Sequence, residues 1–385
     1  MIKRNLLPEL TRCASEYPVV TITGPRQSGK TTLARSAFPH LEYVNFERPD
    51  RRVQFTEDPR GFLAGFAKGA IFDEIQWVPE ICSWLQDLVD RDPTPGRFVL
   101  TGSQHFGLTN QVTQSLAGRT AILELLPFAI GELQTGNYLA ADLDTVLWTG
   151  AYPPLHDRQL RTNRWYSDYL ATYIERDLRQ LAAIKDMSLF QRFLKLAAGC
   201  VGQLFVASRL AGDVGVDQKT IERWTSLLEA SYIATRVQPF HTNLRKRLTR
   251  SPKFYFLDTG LVCHLLGIRA PGQLATHPLR GAVFENWVAS ELMKETANFG
   301  RRSDLMFWRT YDGQEVDFLR EDGDVLELIE CKAGQTVHPR FLGPLKRVGR
   351  IFGDRKVRRR LIHGGDEEME LSNVQIVPWH RIAVG

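Results

Sequence analysis

The sequence predicts an α/β chain in three parts, and three stretches carry that prediction. A glycine-bearing loop joins an apolar strand to a helix near residue 24. A helical middle ends in two strands linked by a basic loop, and a strand pair near residue 320 carries carboxylates and a lysine at alternate positions. At 385 residues the chain is too long for one ordinary core, and the expected parts are 1–135, 136–275 and 276–385.

Composition narrows the class. With 43% hydrophobic and 24% charged residues the chain has the make-up of a globular protein, without repeats or low-complexity tracts. No apolar run approaches the ~20 residues that span a bilayer, so no membrane role is expected. The opening MIKRNLLPELTRCASEYP is interrupted by Glu9, Thr11 and Arg12 and reads as a short amphipathic helix, not a signal peptide. Five cysteines without CxxC spacing suggest neither disulfides nor zinc, and a reducing cytoplasm is the expected location. The net charge of +5 is mild, but basic residues cluster in LRKRLTR (244–250) and DRKVRRR (354–360).

In the first part, YPVVTITG runs into GPRQSGKTT, which fits G-x-x-x-x-G-K-[ST]. Such a loop turns backbone N–H groups towards phosphates, and the following helix adds its dipole. Gly24, Pro25, Arg26, Gln27, Ser28, Gly29, Lys30, Thr31 and Thr32 are the expected nucleotide-binding residues, with Lys30 reaching the β- and γ-phosphates. A second apolar strand, AIFDE, ends in two acids. Asp73 would join the Thr31 hydroxyl in holding Mg²⁺, and Glu74 would polarise the attacking water. The third strand, FVLTGSQ, offers Ser103 or Gln104 as a polar sensor beside the phosphates, and the sequence does not choose between them. Arg119, in SLAGRTAILEL, reads either as a helix-end surface residue or as an arginine finger for a neighbouring subunit's γ-phosphate.

The phrases GPRQSGKTTL, AIFDEIQWVP, LTGSQ, SLAGRTAILELLPF, TGAYP and YLATYIERDL resemble the AAA+-like ATPase family whose second half carries the domain called DUF4143. With FLDTGL and the acidic strand pair, these phrases cover nearly the whole chain. The resemblance implies a P-loop ATPase fold that uses ATP and Mg²⁺.

In the middle part, LFVASRLAGDVGVDQKTIERWTSLLEASYI reads as a helix, a turn at Val214–Asp217 and a second helix from Gln218. Two strands follow, and helix-turn-helix plus hairpin is a winged helix. Lys219 and Arg223 would face outward with Gln218 and Glu222, while Ile221, Trp224, Leu227 and Leu228 pack inward. In a DNA-reading version Lys219 and Arg223 approach the major groove, and Arg245, Lys246, Arg247 and Arg250 of the wing hold phosphates. The competing reading is a winged helix that contacts only protein, to which Glu222 is better suited.

In the last part, a two-residue turn at Asp322-Gly323 pairs Glu321 with Asp324 and Glu315 with Glu330. Glu315, Asp317, Glu330 and Lys332 then share one face, and Val316, Phe318, Ile329 and Cys331 the other. Asp317 and Glu330 are suited to a second Mg²⁺ or Mn²⁺, with Lys332 orienting water. The order of a helix containing Glu285, three strands, a helix and a strand resembles the PD-(D/E)xK nuclease superfamily core. That resemblance makes Asp317, Glu330 and Lys332 its signature and Glu285 its helix acid. The residue two before Asp317 is Glu315 and the proline-aspartate of the superfamily's name is absent, so an inherited binding surface competes with an active nuclease.

Two functions are consistent with these parts. One is an ATP-hydrolysing protein, homo-oligomeric, that acts on DNA through the winged helix and the nuclease-like domain. The other is a nucleotide-gated switch whose later domains bind protein partners and cut nothing.

Overall fold

A computed structural model describes residues 2–103, 115–175, 184, 186–240, 251–311, 313–352 and 355–382. Gln104 and the wing residues Arg245, Lys246, Arg247 and Arg250 lie outside the described residues. The chain divides into two compact units: 1–128 with 230–232 and 296–302, and 129–229 with 233–295 and 303–385.

The first unit is a parallel five-stranded sheet in the order β2-β3-β4-β1-β5. Its elements run α1 (Leu7–Glu16), β1 (Val19–Thr23), α2 (Lys30–Ala37), β2 (Glu42–Asn45), α3 (Pro49–Glu57), α4 (Pro59–Ala64), β3 (Ala70–Asp73), α5 (Ile81–Arg91), β4 (Phe98–Gly102) and β5 (Thr120–Glu124). Every residue of β1, β3 and β4 is buried, as expected for central parallel strands with both faces covered. Alternation assigns the faces. Val19, Phe72 and Phe98 enter one cluster with Phe46 and Phe55, while Val20, Ile71 and Val99 enter another with Leu6, Leu10 and Leu33. Each fully buried Phe or Leu contributes about 2 kcal/mol by removal from water. The strand order reverses around β1, so the crevice beyond its C-terminal end is the place where such sheets bind ligands.

The second unit holds an eight-stranded sheet in the order β12-β13-β11-β10-β9-β8-β6-β7. Short helices between residues 130 and 199 precede α6 (Ala207–Val214) and α7 (Gln218–Ala230). Then come β6 (Ala234–Pro239), β7 (Lys253–Phe256), α8 (Arg280–Asn298), β8 (Met306–Arg309), β9 (Glu315–Asp322), β10 (Val325–Lys332), α9 (Gly343–Ile351), β11 (Lys356–His363), β12 (Met369–Glu370) and β13 (Gln375–Pro378). The α6–α7 turn falls where the sequence put it, with Gly215 at φ 89 closing α6. On α7, Ile221, Trp224 and Leu228 are buried, Leu227 is half-buried, Lys219 and Arg223 are exposed, and Glu222 is tied to Arg236 at 3.0 Å.

The two strands after α7, expected as the hairpin of a wing, belong to a larger sheet. They pair with each other antiparallel, and β6 also pairs with β8 through Gln238–Met306 and Pro239–Phe307. The sheet expected of the last part therefore begins near residue 234, and β7 forms its edge.

The β9–β10 hairpin corrects the expected register. Asp322 pairs with Val325, which makes Gly323-Asp324 the turn, and Ile329 pairs with Phe318. The pairing is shifted by two residues, because Gly323 supplies the positive φ of 57 at the first turn position. A two-residue shift preserves the faces, so Glu315, Asp317, Glu330 and Lys332 still share one side. Continuing the register puts Asp317 opposite Glu330. The same side carries Leu319, Leu326 and Leu328, which pack with Leu342, Leu345 and Val348, so the charged residues occupy only one end of it.

Candidate functional site

The loop between β1 and α2 is shaped by two glycines. A Cβ on Gly24 would lie 2.2 Å from the Leu125 carbonyl oxygen, and both Gly24 (φ 144) and Gly29 (φ 94) hold backbone conformations that favour glycine. Lys30 is 4% exposed. Its Nζ donates to the Gly24 and Pro25 carbonyls at 2.9 and 2.8 Å, folding the ammonium back over the loop. Burial draws its pKa down to about 8, against the opposing pull of Glu74 and Asp73. The Ser28 hydroxyl is buried without a hydrogen-bond partner, Arg26 and Gln27 follow the turn, and Thr32 is exposed on the first turn of α2.

Asp73 gathers three hydroxyls. Thr31 Oγ1 donates to its Oδ2 at 2.9 Å, Tyr43 Oη at 2.6 Å, and Thr101 Oγ1 to its Oδ1. Burial, then the bond to Asp73, pushes the Tyr43 phenol above its ordinary range, so it remains a donor. Glu74 follows in a left-handed conformation (φ 56, ψ 45), an uncommon state for a non-glycine residue. Its carboxylate accepts from Gln76 Nε2 and, at 3.3 Å, from Ser103 Oγ. The residues expected around the phosphates and the Mg²⁺ thus meet at the C-terminal ends of β1, β3 and β4.

Arg119 is elsewhere. It directly precedes β5, and its carbonyl accepts from Val19 N at the start of β1. At ~3.3 Å per residue the length of β1 sets it roughly 16 Å from the phosphate loop along the sheet. Its guanidinium is bound to Asp90 of α5, with Nη2 2.9 Å from Oδ2. An arginine side chain does not span that distance, so Arg119 takes no part in its own subunit's site.

One residue near the loop left no mark in the sequence. Arg4 is 8% exposed, and its guanidinium donates to the Ser28 and Leu126 carbonyls, each at 2.6 Å. It joins the phosphate loop to the end of β5 and lies over Phe128 at 4.8 Å. Its partners are backbone oxygens 24 and 122 positions away, which no local pattern reveals.

The second unit assembles its own charged cluster. Lys332 Nζ donates to Glu330 Oε1 at 2.6 Å, and Cys331 N donates to Asp317 Oδ2 at 2.8 Å. Burial, then Asp317, raises the Glu330 pKa, and its Oε2 is buried without a hydrogen-bond partner. Glu285, on α8, has its pKa raised by burial and by Asp317. It accepts from Tyr255 Oη at 2.6 Å and Lys253 Nζ at 2.9 Å. Lys253 and Tyr255, both on β7, were missed by the sequence reading, although a lysine inside the apolar strand KFYF is itself a signal. The four expected residues do come together, and each carboxylate is engaged through one of its oxygens. Among the described residues no three His, Cys, Asp or Glu side chains are grouped to hold a metal ion. The donors as arranged therefore do not fit the expected second Mg²⁺ or Mn²⁺.

Comparison with known proteins gives these sites a context. The AAA domain family matches residues 16–134, a domain of unknown function (DUF8612) matches 140–272, and a second (DUF4143) matches 280–382. Two curated relatives, the uncharacterized proteins Mb2031c of Mycobacterium bovis and Rv2008c of Mycobacterium tuberculosis, are each 33% identical over 324 residues, 83% of this chain and 71% of the relative. Among solved structures, a Walker-type ATPase of Pyrococcus abyssi is 14% identical with a TM-score of 0.43, covering 69% of this chain and 96% of that one. The AMPPCP-bound DnaA of Aquifex aeolicus is 13% identical with a TM-score of 0.32, covering 58% and 85%. No helix among the described residues is long and apolar enough to cross a membrane. The loop, the acids facing it and the AAA match agree on a nucleotide-binding ATPase domain in the first unit: the chain belongs to the family of P-loop ATPases in which an AAA domain is followed by DUF4143.

Proposed function

We propose that the protein hydrolyses ATP with Mg²⁺ and acts on DNA through its second unit. The observation that carries the first half is the meeting of the Thr31 hydroxyl with the Asp73 carboxylate at 2.9 Å, directly before Glu74. Both are oxygen donors of the kind Mg²⁺ takes, so they fit the ion and would hold it. When bound, Mg²⁺ supplies charge neutralisation at the phosphates. Lys30 would leave the Gly24 and Pro25 carbonyls for the β- and γ-phosphates, and the loop amides would take the remaining oxygens. Glu74 would accept the proton of the attacking water, with Ser103 holding its carboxylate and serving as sensor.

For DNA, the support is the α6–α7 pair read as a winged helix, with Lys219 and Arg223 exposed on α7 and the basic LRKRLTR segment between β6 and β7. The nuclease-like order of α8, β8, β9, β10, α9 and β11 adds a surface of the same ancestry. Lys219→Glu with Arg223→Glu is expected to weaken duplex binding and to lower the slope of log affinity against log salt by about 2, roughly one per lost phosphate contact. Fluorescence anisotropy at several salt concentrations checks this. An unchanged slope would assign α7 to a protein partner, the role its Glu222–Arg236 ion pair suits.

A further inference from the structure

The turn that follows β3 folds back on the acid that opens it. Glu74 is left-handed, and a 3₁₀ turn over Ile75–Trp77 reverses the chain directly after it. Trp77 N donates to the Glu74 carbonyl at 3.2 Å, and Val78 N to the Ile75 carbonyl at 3.0 Å. Ile75 and Val78 are buried in the cluster of Phe46, Phe55 and Phe72, which anchors the turn on both sides of Gln76. The Gln76 side chain is thereby brought back to the Glu74 carboxylate.

Three groups close a ring there. Gln76 Nε2 donates to Glu74 Oε2 and, at 3.2 Å, to Ser103 Oγ, and Ser103 Oγ donates to the same Glu74 Oε2 at 3.3 Å. The reverse amide orientation would set Oε1 against a carboxylate oxygen, so chemistry decides which end of the amide faces Glu74. The other end goes without: Gln76 Oε1 is buried and has no hydrogen-bond partner. A buried carbonyl that accepts from nothing is destabilising. Folding alone therefore does not account for a glutamine here, whereas its bond to Glu74 does. Both donors end on Oε2, and among the described residues no hydrogen bond reaches Glu74 Oε1. The carboxylate is also felt at the phosphate loop. Burial draws the Lys30 pKa down, and of the charges opposing that fall Glu74 is the strongest, ahead of Asp73.

Resting on the reading of Glu74 as the general base, we propose that Gln76 is its positioning residue. With Ser103 it occupies Oε2, which sets the plane of the carboxylate and leaves Oε1 as the oxygen that takes the proton of the attacking water. Gln76 itself touches neither the water nor the phosphates. Turnover needs its donor and not its bulk, since a carboxylate free to rotate presents the required geometry only part of the time.

Gln76→Met in the full chain keeps much of the bulk, adds no charge and removes the donor. Its turnover should fall roughly 10-fold, part of the ~10²-fold that a general base supplies, with equilibrium binding of a labelled nucleotide unchanged. Gln76→Ala, which removes the bulk as well, should lose turnover to the same extent. In a Glu74→Gln background neither change should lower the residual rate further, because a residue that acts only through Glu74 has nothing left to aim. Native turnover in Gln76→Met overturns the proposal, and so does a loss that multiplies with that of Glu74→Gln or falls on nucleotide binding instead. A gain in turnover overturns it too, because the amide would then be holding the carboxylate back. If Gln76→Met does not fold, Gln76→Ala and its Glu74→Gln double variant decide alone. The wider reading fails separately. Native turnover in Glu74→Gln removes the base itself, whereas a slow Glu74→Gln beside a native Gln76→Met removes only Gln76.

Discussion

Glu74→Gln should bind ATP as tightly as the native chain and hydrolyse it at least ~10²-fold more slowly, the scale of losing a general base. The geometry explains why the loss falls on turnover. Glu74 is hydrogen-bonded to Gln76 and Ser103 and not to the loop, so the hydrogen bonds of Lys30 stay in place and only the longer-range pull of Glu74 on its ammonium is lost. Its left-handed backbone is set by β3 and by the Thr101 hydroxyl accepting from Glu74 N at 3.3 Å, and the isosteric amide leaves both in place. Steady-state hydrolysis beside equilibrium binding of a labelled nucleotide separates the two effects. Native turnover in this variant would remove Glu74 from the proposed role.

Arg119→Ala should be at least as severe, on the order of 10³-fold if the residue serves as an arginine finger in trans. Its place at the opposite end of β5 from the phosphate loop rules out its own site, and only a neighbouring copy brings it to a γ-phosphate. It must also release Asp90, to which two of its nitrogens are bound. Mixing Arg119→Ala with Lys30→Ala chains should then restore part of the hydrolysis that each has lost, since one copy supplies the intact loop and the other the intact arginine. Normal hydrolysis by a strictly monomeric chain would leave the Arg119–Asp90 pair as a surface ion pair and nothing more.

How much of this was legible in the sequence depended on distance along the chain. The phosphate loop is contiguous, and its glycines, lysine and threonine each have a local steric or chemical reason to stand where they do. Asp73 and Glu74 end an apolar strand and were equally plain. Tyr43 was not, because it reaches Asp73 from β2, whose pairing with β3 is settled only by the folded sheet. Parity, being strictly period two, set the faces of the β9–β10 hairpin correctly. Register was two residues out, because Asp322-Gly323 and Gly323-Asp324 are both acceptable turns until the strands are paired. Lys253 was passed over as the first residue of the strand KFYF. Only the pairing of β6 with β8, a parallel contact between segments about 70 residues apart and without a local signature, makes β7 part of the last sheet and turns that lysine inward.

The coupling of the two units through nucleic acid is the central claim, and one measurement tests it most directly: ATP turnover by the full chain with Mg²⁺, titrated with duplex and single-stranded DNA at low and moderate salt. DNA should raise turnover, the rise should fade with salt, and Lys219→Glu with Arg223→Glu should weaken it while Lys30→Ala abolishes turnover altogether. Hydrolysis that depends on Lys30 yet is identical with and without every DNA tried would contradict the account, leaving a nucleotide-driven switch with no nucleic acid in its cycle.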